Sequence, residues 1–240
     1  MIALNDINLS KIDLSGIDLR GIKLGIGGRG GSGDDSQRPW LFPDHAWTVT
    51  GKTNEDSDRA TIANIAGNNN NLTLTNFGFV EGSGYNQEGE YAGYLVTDGV
   101  DDGISSSIFE IGKDFTIIGE WKFMDSITAN AGIVKSTSLY VYNRNNGLKI
   151  FINNVNEGSV LNTKTLKAIC SDGRLYSDDW SEMLVNEEQS FTSGKSSLLI
   201  GNNRNNFTKI ALKNLAIYNH ILSKDNCIKA YDYLQTLKAK

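Results

Sequence analysis

The sequence predicts an all-β sandwich with a short C-terminal helix and an extended N-terminal arm. Three observations support this fold class. From Lys113 to Phe123, apolar and polar residues alternate with a period of two, which is typical of a half-buried strand. Two further alternating runs flank Asn146-Gly147, a dipeptide that strongly indicates a hairpin. The chain has 25 glycines and only 2 prolines, and it is rich in asparagine, which suits many tight turns.

Length and charge exclude several classes of protein. A chain of 240 residues can hold one main domain with a sizeable core, plus an appendage. The net charge of −5 and the acidic pI of about 5.1 argue against a nucleic-acid partner. No apolar stretch reaches the roughly 18 residues that a membrane span needs, so we expect no membrane insertion. Residues 1–6 lack the features of a secretory signal, so we expect synthesis in the cytoplasm without one.

The first 24 residues carry a five-residue repeat of the form Ile-x-Leu-x-x. The repeat fits neither a helix, around which such positions would wander, nor one flat strand, on which they would face both sides. We expect an anchoring arm that buries its apolar side chains against other subunits, as in a homo-oligomer or an assembly. The alternative is a strand that packs on the sandwich of the same chain. The anchoring residues are Leu4, Ile7, Leu9, Ile12, Leu14, Ile17, Leu19, Ile22 and Leu24.

Residues 1–24 resemble the pentapeptide-repeat family, whose central residue is Leu and whose units build a square coil. Ile stands here where that family usually has a small residue. Residues 25–38 form a hinge, because six of the nine residues from Gly25 to Gly33 are glycine. A phosphate-binding loop would need Lys-Ser or Lys-Thr after the glycines, and none follows. The predicted domains are therefore the arm at 1–24, the hinge at 25–38 and the sandwich at 39–240.

Alternation and turn signals also predict the other strands of the sandwich. Residues 72–79 alternate like a strand and follow a turn of four asparagines. Residues 138–152 contain the two runs around Asn146-Gly147 and predict a hairpin. Further strands are expected at Ala168–Ser171, Met183–Asn186, Ser197–Gly201 and Phe207–Asn219.

The strand that ends at Phe123 is expected to bury one face and to leave the other to solvent. Its alternation separates large apolar side chains from polar ones. The buried face carries Phe115, Ile117, Gly119, Trp121 and Phe123, and the opposite face carries Thr116, Glu120 and Lys122.

A helix is expected near the C-terminus, from Ser223 to Leu237. Ser223 is a good N-cap, and Asp225 in the first turn complements the helix dipole. Ile228, Tyr231 and Leu234 share one helical face, which should pack on the sandwich.

Three pieces of sequence resemble a known family. Asp98-Gly-Val-Asp-Asp102 resembles its turn at an early strand, and Phe115-Thr-Ile-Ile-Gly-Glu-Trp121 resembles its Phe-Thr-Ile-x-x-Trp strand. Residues 215–223 resemble its closing strand and the turn into a short helix. Residues 45–235 are thus similar to the laminin-G-like branch of the concanavalin A-like lectin/glucanase superfamily. The resemblance implies a two-sheet jelly-roll sandwich, and the family includes carbohydrate binders, adhesion modules and virion proteins.

The sequence does not predict an enzyme. Glycosidase relatives of this fold place paired acids on one strand, as in Glu-x-Asp-x-x-Glu, because general acid and base need two carboxylates roughly 5–10 Å apart. Glu120 lies on the expected strand, but its neighbours on the same face, Lys122 and Met124, are not acids. We therefore expect no glycoside hydrolysis.

Asp98, Asp101 and Asp102 offer oxygen ligands of the kind that Ca²⁺ prefers, and some laminin-G-like domains bind this ion. A full Ca²⁺ site needs roughly six to eight oxygens. The preferred interpretation is that these carboxylates hydrogen-bond their own turn, so no metal and no cofactor are predicted.

Cys170 and Cys227 are the two cysteines, and they show no CxxC spacing. Free buried thiols are the preferred interpretation, and a disulfide is the alternative. His45 and His220 do not sit in a metal-ligand pattern either.

Aromatic side chains and Asn-rich loops could bind a glycan by stacking and hydrogen bonding. The alternative is that the same residues serve the core and the turns. The candidate glycan-binding residues are Trp180, Tyr140, Tyr142, Asn145, Asn146 and Arg204.

The order of arm, hinge and sandwich favours a structural protein that is anchored to an assembly and displays its sandwich. Virion proteins such as phage capsid fibres, decoration proteins and tail-associated proteins resemble this arrangement. Without a secretion signal, such a protein could reach the exposed virion surface inside a particle released by lysis. A stand-alone glycan-binding adhesin is the alternative, and a carbohydrate-active enzyme is the third hypothesis.

Overall fold

The structure is a computed structural model. It describes residues 38–124, 131–135, 139–144, 147–152, 166–184, 193–203 and 206–240. The predicted arm and all but the last residue of the predicted hinge lie outside these ranges, as do Asn145, Asn146 and Arg204.

Within these ranges the backbone forms short strands and one helix. The strands are β1 (His45–Thr48), β2 (Thr61–Ile62), β3 (Leu72–Thr75), β4 (Gly84–Tyr85), β5 (Leu95–Val96), β6 (Gly103–Ser106), β7 (Phe109–Ile111), β8 (Thr116–Phe123), β9 (Ala131–Lys135), β10 (Leu139–Arg144), β11 (Gly147–Ile152), β12 (Ala168–Cys170), β13 (Arg174–Tyr176), β14 (Glu182–Leu184), β15 (Gly194–Ser196), β16 (Leu199–Ile200), β17 (Asn202–Asn203), β18 (Asn206–Phe207) and β19 (Ile210–Tyr218), and the helix is α1 (Lys224–Thr236).

Two large sheets form the sandwich in the described part of the chain. The eight-stranded sheet has the order β14-β13-β12-β8-β19-β5-β4, and β1 also pairs with β19. The seven-stranded sheet has the order β11-β10-β9-β16-β6-β3-β2. The strand pairings described here are antiparallel. Some join neighbours in sequence, such as β10 with β11, and others join strands far apart, such as β8 with β19 and β16 with β6. The predicted all-β sandwich is confirmed.

The main core lies between the facing sides of the two sheets. On β8 the predicted buried face is confirmed, since Ile117, Trp121 and Phe123 join this core. The opposite face is not left to solvent throughout: Glu120 and Lys122 are partly buried, but Thr116 and Ile118 are fully buried because α1 and the segment before it pack over that end of the strand. Other large members of the core are Trp47, Leu72, Ile104, Phe115 and Leu215. Burial of these side chains supplies the main favourable free energy of the fold.

A second apolar cluster lies on the outer face of the eight-stranded sheet, under α1. Ser223 caps the helix as predicted, because its side chain accepts the Asn226 N–H. The predicted helical face is partly wrong, since the buried residues are Cys227, Ala230 and Leu234, and Ile228 and Tyr231 are only partly buried. Small side chains at the contact let the helix lie close to the sheet and leave the larger ones at its flanks. In the described part, no helix has the length and apolarity of a membrane span.

The predicted hairpin is confirmed by the pairing of β10 with β11. Arg144 pairs with Gly147, so the connection consists of Asn145 and Asn146, and Gly147 belongs to the second strand. The strand predicted at 72–79 ends earlier than expected, at Thr75. Asn76 follows with a φ of 64°, a left-handed conformation that ends the extended chain.

Candidate functional site

A cavity of about 210 Å³ opens on the outer face of the eight-stranded sheet, beside α1. Three parts of the fold build it. The outward positions of β8 supply Glu120 and Lys122, the segment just before β12 supplies Lys167, and α1 supplies Tyr231. The lining residues are Gly119, Glu120, Trp121, Lys122, Leu166, Lys167, Asp178 and Tyr231. Below we call this the Glu120 cavity.

The pairing of β8 with the segment before β12 brings Glu120 and Lys167 together. The Gly119 N–H donates to the Lys167 carbonyl oxygen at 3.0 Å, so these two backbones lie side by side. Strand alternation directs Glu120 away from the main core, and the helix then closes the opposite side of the cavity with Tyr231.

Glu120 is an ionised hydrogen-bond acceptor at the base of this arrangement. The Tyr94 hydroxyl donates to Oε1, the Tyr231 hydroxyl donates to Oε2 at 3.2 Å, and Lys213 Nζ lies 3.5 Å from Oε2. Burial opposes ionisation of Glu120, but the Tyr94, Lys213 and Tyr231 interactions outweigh it and lower the pKa of the carboxyl. Its side chain retains 17% of its exposure, so a ligand can still reach it.

Burial is the largest cause of the raised pKa of Tyr94 and of Tyr231. Hydrogen bonding to Glu120 and its negative charge raise the pKa of Tyr94 and Tyr231 further. Both hydroxyls therefore stay protonated over the physiological range and act as donors to the carboxylate.

Lysine ammonium groups lie over the aromatic rings around the cavity. Lys167 Nζ is 5.3 Å from the Trp180 ring centroid and 4.9 Å from that of Tyr231, and it donates to the Asp178 carbonyl oxygen. Lys122 Nζ is 5.1 Å from the ring centroid of Tyr94. Such cation–π contacts hold the lysines in place, and each ammonium group has three N–H donors.

Trp180 flanks the Glu120 cavity without lining it. Its ring packs edge-on against Tyr231, with centroids 5.6 Å apart, and lies 6.1 Å from the Tyr176 ring. The residue sits in the loop between β13 and β14 with a φ of 63°, an unfavourable conformation for a large side chain. The surrounding contacts must maintain that strain, and strained residues of this kind concentrate at functional sites.

Of the other predicted glycan-binding residues, the structure describes only the backbone of Tyr140 and Tyr142. Tyr140 and Tyr142 belong to β10 of the seven-stranded sheet, whereas Trp180 adjoins the eight-stranded sheet. The side chains of both tyrosines lie outside the described part of the structure. Glycan binding by Tyr140, Tyr142, Asn145, Asn146 and Arg204 stays a prediction.

None of the residues that line the Glu120 cavity was predicted to bind a glycan. Tyr231 was expected only to pack on the sandwich, and no prediction involved Leu166, Lys167 or Asp178. Helical periodicity does place Tyr231 at the margin of the buried face, which is a weak local signal for a partly exposed side chain. Nothing local indicates Lys167, because its position depends on the pairing of β12 with β8.

The turn from Asp98 to Asp102 has the predicted hydrogen bonds. Asp98 Oδ1 accepts the backbone N–H groups of Val100, Asp101 and Asp102 at 2.7 to 3.3 Å. Asp102 Oδ2 accepts the Asp98 N–H at 2.7 Å. Oxygens of Asp98, Asp101 and Asp102 lie within 4.8 Å of one another, but a Ca²⁺ ion would have to compete with these hydrogen bonds.

A second, larger cavity of about 380 Å³ lies between the segment before β1 and the end of α1. Leu41, Phe42, Ile65 and Leu237 give it a mainly apolar lining, and Lys238 contributes a charge. A saccharide needs convergent donors and acceptors, so the Glu120 cavity is the better candidate site.

Comparison with known proteins gives structural similarity at very low sequence identity. No family model matches the chain, and no curated protein matches it. A Trypanosoma rangeli sialidase in complex with sialic acid superposes with a TM-score of 0.53 and 10% identity, over 81% of this chain and 33% of the sialidase. The ligand-binding domain of botulinum neurotoxin serotype D, in complex with N-acetylneuraminic acid, gives a TM-score of 0.56 and 10% identity.

The toxin match covers 80% of this chain and 51% of that domain. The chain therefore spans about half of the toxin domain and about a third of the sialidase. At 10% identity these similarities show a shared fold. Together with the sheet topology, they establish a β-sandwich consistent with the concanavalin A-like architecture that the sequence predicts.

Proposed function

We propose that this protein is a non-enzymatic glycan-binding module, displayed on a virion or another assembled surface and anchored through residues 4–24. The observation that carries the binding proposal is the Glu120 cavity. It combines an ionised acceptor, Glu120, with the cationic donors Lys122 and Lys167 and with the aromatic ring of Tyr231. Sugars present hydroxyls that both donate and accept, together with C–H faces that pack on aromatic rings.

The size of the cavity sets the expected ligand. Pockets for drug-sized molecules are roughly 300–1,000 Å³, and the Glu120 cavity is smaller, at about 210 Å³. We therefore expect it to hold one terminal sugar unit, with the rest of the glycan in solvent.

Sialylated glycans are the first ligands to test. The names of the two structural neighbours record complexes with sialic acid and N-acetylneuraminic acid. In this chain, Lys122 and Lys167 would face the carboxylate of such a sugar, while Lys213 already neutralises Glu120. The charge at the cavity is thus compatible with an anionic terminal sugar as well as with a neutral one.

The electrostatics favour binding over hydrolysis. A general acid needs a raised pKa, and the pKa of Glu120 is lowered. Some glycoside hydrolases use a tyrosine nucleophile, but burial and Glu120 raise the pKa of Tyr94, which disfavours the phenolate.

The binding proposal is tested on a glycan array, followed by titration of the best ligand. Lys167→Gln should weaken binding about tenfold or more, because one lost charge-assisted hydrogen bond is worth roughly 1.5 kcal/mol or more. The matched control is Lys224→Gln, which removes an exposed lysine at the start of α1. A blank array with folded protein, or equal losses in both variants, would contradict the proposal.

A second pair of variants tests the aromatic flank. Trp180→Ala should weaken glycan binding, because it removes the ring against which Tyr231 and Lys167 pack. Phe42→Ala is the matched control, since Phe42 is an exposed aromatic residue of the other cavity. If binding survives Trp180→Ala unchanged, Trp180 does not contribute to the site.

The anchoring part of the proposal rests on the arm. Nine aliphatic side chains recur at a five-residue spacing, and a short repeat array cannot enclose them. Burial against other subunits of an assembly, or against further copies of this chain, would remove them from water. The stand-alone adhesin is the competing function, and it predicts that glycan binding needs no assembly partner.

A further inference from the structure

Two cysteines that are far apart in sequence meet under α1. Cys170 is the last residue of β12 and Cys227 lies in the first turn of α1, and both are buried free thiols, as predicted from the sequence. Both belong to the apolar cluster between the helix and the eight-stranded sheet. That cluster also contains Ala230 and Leu234 of the same helix.

Thr116 and Leu222 are hydrogen-bonded to each other, and each of them contacts one of the two thiols. Thr116 Oγ1 lies 3.9 Å from Cys170 Sγ and accepts the Leu222 N–H at 2.9 Å. The Leu222 carbonyl oxygen lies 3.9 Å from Cys227 Sγ. The two sulfur atoms therefore lie on either side of the hydrogen bond between Thr116 and Leu222. The Cys227 thiol also interacts with Cys170 itself.

The contact makes the two sulfurs chemically unequal. The hydrogen bond from Cys227 lowers the pKa of Cys170, and the nearby Arg174 charge acts in the same direction. The same hydrogen bond, together with burial, raises the pKa of Cys227. Since the thiolate is the reactive form in disulfide exchange, Cys170 is the attacking residue and Cys227 the resolving one.

We propose that Cys170 and Cys227 are a covalent cross-link site, at which a disulfide oxidant ties α1 to the eight-stranded sheet. With oxidised glutathione, the Cys170 thiolate attacks one sulfur, forms a mixed disulfide and releases one glutathione thiolate. Cys227 then loses its proton and displaces the second glutathione. Two protein thiols are oxidised, and one glutathione disulfide is reduced to two thiols.

The cross-link would fix the helix that carries Tyr231, one wall of the Glu120 cavity. Both thiols are buried, so exchange requires a transient opening of the first turn of α1. The inference is independent of glycan binding, because the covalent bond would form within the helix–sheet contact and neither cysteine lines the Glu120 cavity.

The experiment uses the full chain, first reduced and then incubated with oxidised glutathione. The sample is quenched in acid, alkylated under denaturing conditions and digested for mass spectrometry. The expected product is a Cys170–Cys227 linked peptide with two hydrogen atoms fewer than the separate peptides. Recovery of both cysteines alkylated, or carrying only glutathione, would overturn the proposal.

Thermal unfolding provides the second measurement. A disulfide that closes a loop of roughly 60 residues should raise Tm by on the order of 10 °C, and a thiol reductant should reverse the shift. The double variant Cys170→Ala/Cys227→Ala should show no shift with oxidant or reductant. A shift of the same size in the double variant, or none in the wild-type protein once the linked peptide has formed, would count against a stabilising cross-link between α1 and the sheet.

Discussion

Asp102 shows how one buried charge can make the stability of the sandwich depend on pH. The residue is fully buried at 0% exposure, with Ser83 and the Asp98 backbone as hydrogen-bond donors. Burial raises its pKa to about 6, and the charges of Asp98 and Asp101 add to this effect against the hydrogen bonds. The folded protein therefore binds this proton more tightly than the unfolded chain does.

Protonation of Asp102 should stabilise the folded protein at low pH. The stabilising contribution of protonated Asp102 is complete below about pH 4 and is lost as the pH rises through about 6. Between pH 4 and pH 7 the free energy of unfolding should fall by roughly 1–3 kcal/mol relative to the variant Asp102→Asn, which cannot ionise. Urea unfolding of both proteins at several pH values measures the difference. Parallel curves for the two proteins would show that Asp102 ionises normally.

At the scale of a single strand, β8 combines a close packing contact with the outward face that carries the candidate site. Gly119 lies on the same face of the strand as Trp121, and a Cβ there would lie 2.5 Å from the Trp121 ring and 2.6 Å from the Asn214 carbonyl oxygen. Real Cβ atoms do not approach so closely, so glycine is required by space at this position.

Gly119→Ala should therefore lower the free energy of unfolding by roughly 1–3 kcal/mol, because the Trp121 ring and the β19 backbone must move. Gly194→Ala is the matched control, since a Cβ on this strand glycine meets no heavy atom within 4 Å. Urea denaturation measures the free energy of unfolding of both variants. Equal stability would mean that the strand tolerates a side chain at position 119.

At the scale of the whole molecule, the central question is whether the arm belongs to the sandwich or to an assembly. The sandwich described here has its own core between two sheets and a second cluster under α1. We predict that a protein truncated to start at Gln37 stays folded and monomeric but fails to enter its parent assembly. Size-exclusion chromatography and an incorporation assay measure the two properties.

The truncation is matched by a variant of the full-length chain. Replacing Leu9, Leu14 and Leu19 with serine should abolish association, because each aliphatic side chain buried at the interface contributes about 1.5–3 kcal/mol to the free energy of binding. The Tm of the sandwich should stay nearly unchanged, because the anchoring proposal places these side chains outside its core. If the triple variant instead unfolds the sandwich, the arm belongs to the core of the domain and the anchoring proposal fails.

The proposal of a non-enzymatic protein has its own test. Purified protein incubated with sialylated and neutral glycans should release no sugar, as measured by chromatography of the products. Turnover that disappears in Glu120→Gln would contradict the proposal, because it would assign a catalytic role to the carboxylate in the cavity.

The sequence alone determined the fold class and several of the elements that build it. Alternation identified the core-facing side of β8, the dipeptide Asn146-Gly147 predicted the β10–β11 hairpin, and Ser223 predicted the start of α1. These are local signals, because side-chain period and capping depend on residues a few positions apart. The aspartate-rich turn was predicted for the same reason, since its hydrogen bonds join residues within one loop.

Only the tertiary structure determined which residues meet in the candidate site and under the helix. Glu120 and Lys167 become neighbours through strand pairing, and Tyr231 reaches Glu120 only when α1 docks on the sheet. The contact between Cys170 and Cys227 arises in the same way. Pairings between distant segments depend on the free energy of the entire packed core, so no local sequence pattern specifies them.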